Sequence, residues 1–180
     1  MKKAIALGNI IFLYLAALLP VLLFTAGKNK VLTFVWEHLF FNNVFVPLGF
    51  ILLVGIVLYF MNIGFFLMTK NGGWNSQELA KMNMIVKLIQ IPAYLFIFVV
   101  GLLCGMMIFT IGISFVLLVL DIFSIGMTGI FASCAFYTLK QEQKISGNMQ
   151  VLYSLASFLF CVDIIIAVVG YRISISENKH

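Results

Sequence analysis

Charge is what this chain has least of. Only 9% of its 180 residues are Asp, Glu, Lys or Arg, against about 25% in ordinary globular chains. So few polar groups cannot cover a water-facing surface, which excludes a single soluble domain. Histidine is also scarce. The two present, His38 and His180, have no second ligand at a helical offset, so a histidine metal site is not expected. The three cysteines, Cys104, Cys134 and Cys161, stand singly inside apolar runs. Without a CxxC pair there is no basis for a zinc site or a disulfide framework, and the cysteines read as small packing residues. The chain has no Ser–His or Cys–His set, no HExxH and no phosphate-binding glycine loop, and no acid pair lies near a water-facing boundary. Enzymatic activity, a metal and a cofactor are therefore not expected. No internal repeat is visible, so the inverted-repeat signature of many transporters is missing too.

What the chain does have is apolar length: 63% of it is hydrophobic. The formal charge of +5 comes from eleven Lys and Arg placed at the chain ends and in breaks between apolar runs. That is how topogenic charges are placed, whereas a nucleic-acid site needs a basic face interleaved with aromatics. The expected partner is a lipid bilayer, with a membrane protein or a second copy of the chain as a further option, and no nucleic acid.

The longest stretch, Leu88 to Leu139, carries one charged side chain, Asp121. A span needs about 20 apolar residues, so this stretch reads as a helical hairpin with its turn in Gly105–Ser114. Periodicity and breakers predict one all-α transmembrane domain over 1–180. Its five spans cover about 4–26, 44–69, 84–110, 112–138 and 149–171. Four spans is the alternative if the 88–139 hairpin is re-entrant. The first run has a basic start like a signal peptide, but it is longer than a usual h-region and its cleavage pattern is poor, so it reads as a span. The aromatic-rich segment 31–41 is too short to cross and suits the membrane interface, with a lid over an opening as its functional alternative. With five spans, Lys2, Lys3, Lys70, Lys81, Lys87, Lys140 and Lys144 fall on one side, and Lys28, Lys30, Arg172 and Lys179 on the other. Seven against four puts the N-terminus inside.

Several helical faces stand out. Gly55, Tyr59 and Asn62 share one, and Lys87, Gln90, Tyr94, Gly101 and Gly105 another, with Gly101-x-x-x-Gly105 suited to close helix approach. Ser114, Asp121, Ser124, Thr128, Ala132 and Ala135 form a small, polar stripe. Asp163 shares a face with Ala156, Ala167 and Gly170. The two intramembrane aspartates are the most informative residues, because a carboxylate at mid-bilayer costs roughly 2.5–3.5 kcal/mol on insertion scales. Antiparallel spans four and five would bring Asp121 and Asp163 to matched depth, facing each other. Tyr94, Ser124 and Thr128 would lie nearby, while Lys87 would snorkel to the inner headgroups. Close carboxylates in a dry setting suit proton or cation relay; the bland alternative is that the aspartates only bridge helices.

The second half resembles a family of small, uncharacterised integral membrane proteins of Gram-positive, Clostridia-type bacteria. The similarity rests on Asn83-Met-Ile-Val-Lys87-Leu-Ile-Gln-Ile-Pro92-Ala-Tyr94, on Asp121 with Thr128-Gly129, and on Phe160-Cys161-Val-Asp163. It implies a multi-pass protein of the bacterial plasma membrane and supplies no substrate. The expectation is therefore a small transport-related or accessory membrane protein with an intramembrane carboxylate site. The alternative is a structural, interaction or immunity-type protein.

Overall fold

A computed structural model describes residues 1–25, 30–41 and 43–176. Among them there are helices and turns and no strands. Helix α1 spans Lys2–Thr25, α2 Lys30–His38, α3 Phe45–Thr69, α4 Ser76–Gly105, α5 Ile111–Gln141, α6 Gly147–Ala156 and α7 Val162–Ile175. Helices α1, α3, α4 and α5 are each long and apolar enough to cross a bilayer. Their outward faces carry Leu7, Ile11, Leu18, Phe50, Leu53, Phe60, Leu95 and Phe115, all exposed. A water-soluble protein does not present apolar surface on that scale. The chain is a multi-pass membrane protein.

Local chemistry sets the boundaries. Gly72 and Gly73 adopt positive φ (85° and 83°), conformations in which glycine meets no Cβ penalty, and they form the turn from α3 to α4. Asn75 then caps α4, its side chain accepting from the Glu78 N–H (3.2 Å). Helix α4 therefore begins at Ser76, eight residues before the expected start of that span, because the polar segment 76–83 is continuous with the apolar one. Pro92 lies inside α4, and the Tyr14 hydroxyl donates to the Ile89 carbonyl (2.8 Å) in the turn that proline loosens. The 88–139 stretch is a hairpin, as expected, its turn made by Met106, Met107 and a short 3-10 segment over Ile108–Thr110.

Side chains interlock around α1, which lies within the bundle against α3, α4 and α5. Phe12, Leu13 and Ala16 of α1, Ile97 of α4, and Leu117, Leu120 and Met127 of α5 are all buried in one cluster. A second cluster nearer the chain's start stacks Phe65 on Phe131 and sets Trp74 edge-on to Phe65. Asn9 and Asn62 exchange amide hydrogen bonds (3.1 and 2.9 Å) between α1 and α3, and the Gln90 amide donates to the Asn9 carbonyl (2.9 Å). At 30–38 a short helix does form at the surface. Phe34 stacks on His38, and Phe34, Leu39 and Phe41 are exposed, as befits an interfacial helix.

The expected fifth span is not one helix. Ser146 caps α6 by accepting from the Met149 N–H (3.3 Å), but α6 ends after ten residues, about 15 Å. Residues 157–161 then reverse the chain, with Cys161 at φ 65°, and α7 returns. Its far end is tied to the loop from which α6 started: the Lys144 ammonium donates to the Ser174 carbonyl (2.9 Å). Helices α6 and α7 are thus a re-entrant hairpin, seated by Phe158 over Gly129 and by Phe136 over Gly170. The sequence had pointed to the 88–139 hairpin as the candidate re-entrant element; it is the last hairpin instead.

One end of the bundle is a polar cluster. Lys2 pairs with Glu78, the Ser76 N–H donates to Glu142 (2.8 Å) with the Ser76 hydroxyl bonding the same carboxylate, and Lys144 pairs with Glu142 (2.9 Å). These ties put the starts of α1 and α4 and the ends of α5 and α7 together. Four crossings and a returning hairpin leave Arg172 at the same end as Lys2, Lys3, Lys70, Lys81, Lys140 and Lys144. Of the described Lys and Arg, only Lys30 stands at the other end; Lys28 and Lys179 lie outside the described residues. Among the described residues seven stand against one, where five spans would set seven against two, and the asymmetry again places the start of α1 inside.

Candidate functional site

Polar side chains in the bundle gather about halfway along α4. Lys87 lies eleven residues into that helix, about 16 Å from its start. Its side chain is 0% exposed, and its ammonium is ion-paired with Asp163, itself 3% exposed. The same ammonium donates to the Thr128 hydroxyl (2.6 Å), which donates in turn to the Ser124 carbonyl (3.0 Å). The Tyr94 hydroxyl is 3.5 Å from Ser124 Oγ. Asp163 occupies the first turn of α7, and its Oδ1 accepts from the Ile164 N–H (2.9 Å). A carboxylate there is favoured by the positive end of the helix dipole. Asp163, Ala167 and Gly170 form the buried inner face of α7, with Ser174 continuing it. Ala156, expected on that face, is across the chain reversal in α6.

Two expectations are overturned by this arrangement. Lys87 is not at the inner interface: the earlier start of α4 sinks it by more than two turns, too deep to snorkel. Asp121 and Asp163 do not face each other as a carboxylate pair. The reversal at 157–161 brings Asp163 beside Thr128, while Asp121 lies two turns, about 10 Å, farther along α5. The partner of Asp163 is Lys87.

Asp121 has a different setting. It is half-buried in a groove of about 460 Å³ between α4 and α5, walled by Ile97, Phe98, Gly101, Gly105, Ser114 and neighbouring leucines. Its Oδ1 is buried and accepts no hydrogen bond among the described residues. The glycine pair also does something other than expected. A Cβ at Gly101 would meet nothing within 4 Å, and one at Gly105 would meet only Ser114. The pair leaves room in the groove where helix contact was expected. Phe98 also walls a second cavity, of about 320 Å³, that reaches Tyr94 and Asp163.

Sequence reasoning had singled out Asp121, Asp163, Tyr94, Ser124 and Thr128, and the structure places them all within this region. Asn83 was missed. It lies on the same face as Lys87, Gln90 and Tyr94, a spacing that was there to be read, and Asn83 Oδ1 and Gln90 Oε1 are buried without a donor among the described residues. Among those residues there is no group of three His, Cys, Asp or Glu able to hold a metal.

Comparison with family models, curated proteins and solved structures gave no match.

Proposed function

We propose that this chain is a small transport-related membrane protein of the bacterial plasma membrane, and that it handles a proton or another cation at its intramembrane carboxylates. The observation that supports this most is charge balance. One lysine and two carboxylates stand in this part of the bundle: Lys87 is paired with Asp163, and Asp121, two turns farther along α5, has no ion-pair partner among the described residues. With both carboxylates ionised the region carries one net negative charge, costly in a dry setting. Taking up one positive charge, on a proton or a larger cation, relieves that cost. Asp121 is the group positioned to take it, because its Oδ1 has no partner among the described residues and a groove reaches it.

The rival reading, a structural, interaction or immunity-type protein, has a real foothold in Asp163, which bridges α7 to α4. It gives no work to Asp121, which bridges nothing among the described residues. Proteoliposomes carrying the full chain and a trapped pH dye discriminate the two. Cation-driven proton movement that is lost in Asp121→Asn, with unfolding unchanged, supports the transport reading. No movement in the wild-type protein, under gradients of sodium, potassium and organic cations in turn, sinks it in favour of the rival.

A further inference from the structure

We propose that the groove between α4 and α5 binds a lipophilic organic cation, an ammonium or phosphonium with apolar substituents, held by Asp121. This builds on the cation-handling reading and names its substrate class. At about 460 Å³ the groove falls within the range of small-molecule sites, roughly 300–1,000 Å³. Its walls are almost wholly apolar and include the aromatic ring of Phe98, whose face attracts cations. Asp121 is the one charged group lining it. The only wall hydroxyl, Ser114, is already engaged, donating to the Gly101 carbonyl (2.8 Å).

That composition discriminates between cations. A bare inorganic ion needs several oxygen ligands to replace its water, and this groove offers one carboxylate and one occupied serine. A cation that carries its own apolar shell needs only a counter-charge and apolar walls, and the groove supplies both. Access is consistent as well. Phe98, Leu102, Met106 and Leu118 line the groove and are exposed on the outer face of the bundle, where lipid lies, so an amphiphilic cation partitioned into the bilayer can enter sideways. The empty space beside Gly101 is what admits it.

The test is equilibrium binding of tetraphenylphosphonium to the purified full chain in nanodiscs. Saturable binding at one per chain is expected, weakened roughly tenfold or more in Asp121→Asn, less than for a fully buried, hydrogen-bonded charge pair because Asp121 is half-buried and the cation donates no hydrogen bond. Gly101→Leu should abolish binding by filling the groove, and because a Cβ there meets nothing within 4 Å and leucine favours the helix over glycine, its unfolding should be no easier than that of wild type. Gly112→Leu, outside the groove and also in open space, should bind as wild type does. Equal binding by wild type and Asp121→Asn, or by wild type and Gly101→Leu, overturns the proposal, as does displacement by sodium at concentrations comparable to the organic cation. Binding without any flux in liposomes would sink the transport reading and leave this site standing. Proton flux dependent on Asp121 without tetraphenylphosphonium binding would do the reverse.

Discussion

The Lys87–Asp163 pair makes the sharpest demand on the structure, because removing one partner and removing both should have opposite consequences. Both side chains are essentially shielded (0% and 3% exposed). Lys87→Met leaves Asp163 with a single backbone N–H donor, and Asp163→Val leaves a buried ammonium with the Thr128 hydroxyl alone. Breaking a buried ion pair on one side costs about 3–5 kcal/mol. Protonation of the orphaned carboxylate, or loss of a proton from the orphaned amine, limits that cost. About 3 kcal/mol is therefore expected for each single change. The double change Lys87→Met with Asp163→Val removes both charges with side chains of similar size, and replacing such pairs by apolar residues is often neutral or stabilising. Its stability should lie within about 1 kcal/mol of wild type, a coupling of about 5 kcal/mol in the cycle. Unfolding in mixed detergent micelles, followed by tryptophan fluorescence, reads all four variants. Additive losses would refute the pairing and return Lys87 to the membrane interface. A small loss at Lys87→Met alone would show that the ammonium is not shielded at all.

Three further outcomes follow from other parts of the molecule. Reporters placed before α1 and after α7 should lie on the same side of the membrane, since α6 and α7 turn back; opposite sides would restore five spans. Asn9→Leu should cost about 1–2 kcal/mol, because the fully buried Asn62 amide loses two hydrogen bonds; Asn9→Leu with Asn62→Leu should recover part of that, and a double change worse than the sum of the singles would contradict the reciprocal pairing. Burial pushes the Glu142 carboxyl up, but the Ser76 hydroxyl, the Ser76 N–H and the Lys144 ammonium outweigh it and hold the group below its ordinary value. Its stabilisation is then complete above the ordinary Glu value of about 4.3 and fades as pH falls through the lower folded value. Glu142→Gln should flatten the acid limb of the stability profile; an unchanged limb would show that the staple contributes nothing.

Much of this architecture was legible because lipid imposes a simple rule. Every backbone group must be satisfied within the segment, so crossing elements are helices and apolar length locates them. The stripe from Ser114 to Ala135 reads correctly because 3.6 residues per turn bring its members to one face. Ser124, Thr128, Ala132 and Ala135 are indeed buried. Asn75 and Ser146 each precede a helix that they cap, as their residue types suggest.

The misreadings share one cause: periodicity gives faces, while depth and direction depend on where helices start and stop. Asn75-Ser76 was a usable start signal for α4. Placing the span at Met84, where hydropathy rises, raised Lys87 toward the interface by more than two turns and removed it from the site. The reversal after α6 had no comparable signal. Ser157-Phe-Leu-Phe-Cys161 has no proline and no glycine, and the positive φ falls on a cysteine, a residue for which that conformation is uncommon. The turn is stabilised from outside its own sequence: Phe158 needs the missing side chain at Gly129, and Asp163 needs Lys87 from another helix. Those contacts are tertiary, and a pattern within α6 and α7 cannot reveal them. The same reasoning assigns the two aspartates different work. Asp163 is matched by a lysine, and the chain's own fold depends on that match. Asp121 Oδ1 has no hydrogen-bond partner among the described residues and borders an apolar groove, and the proposed organic cation would be its counter-charge there.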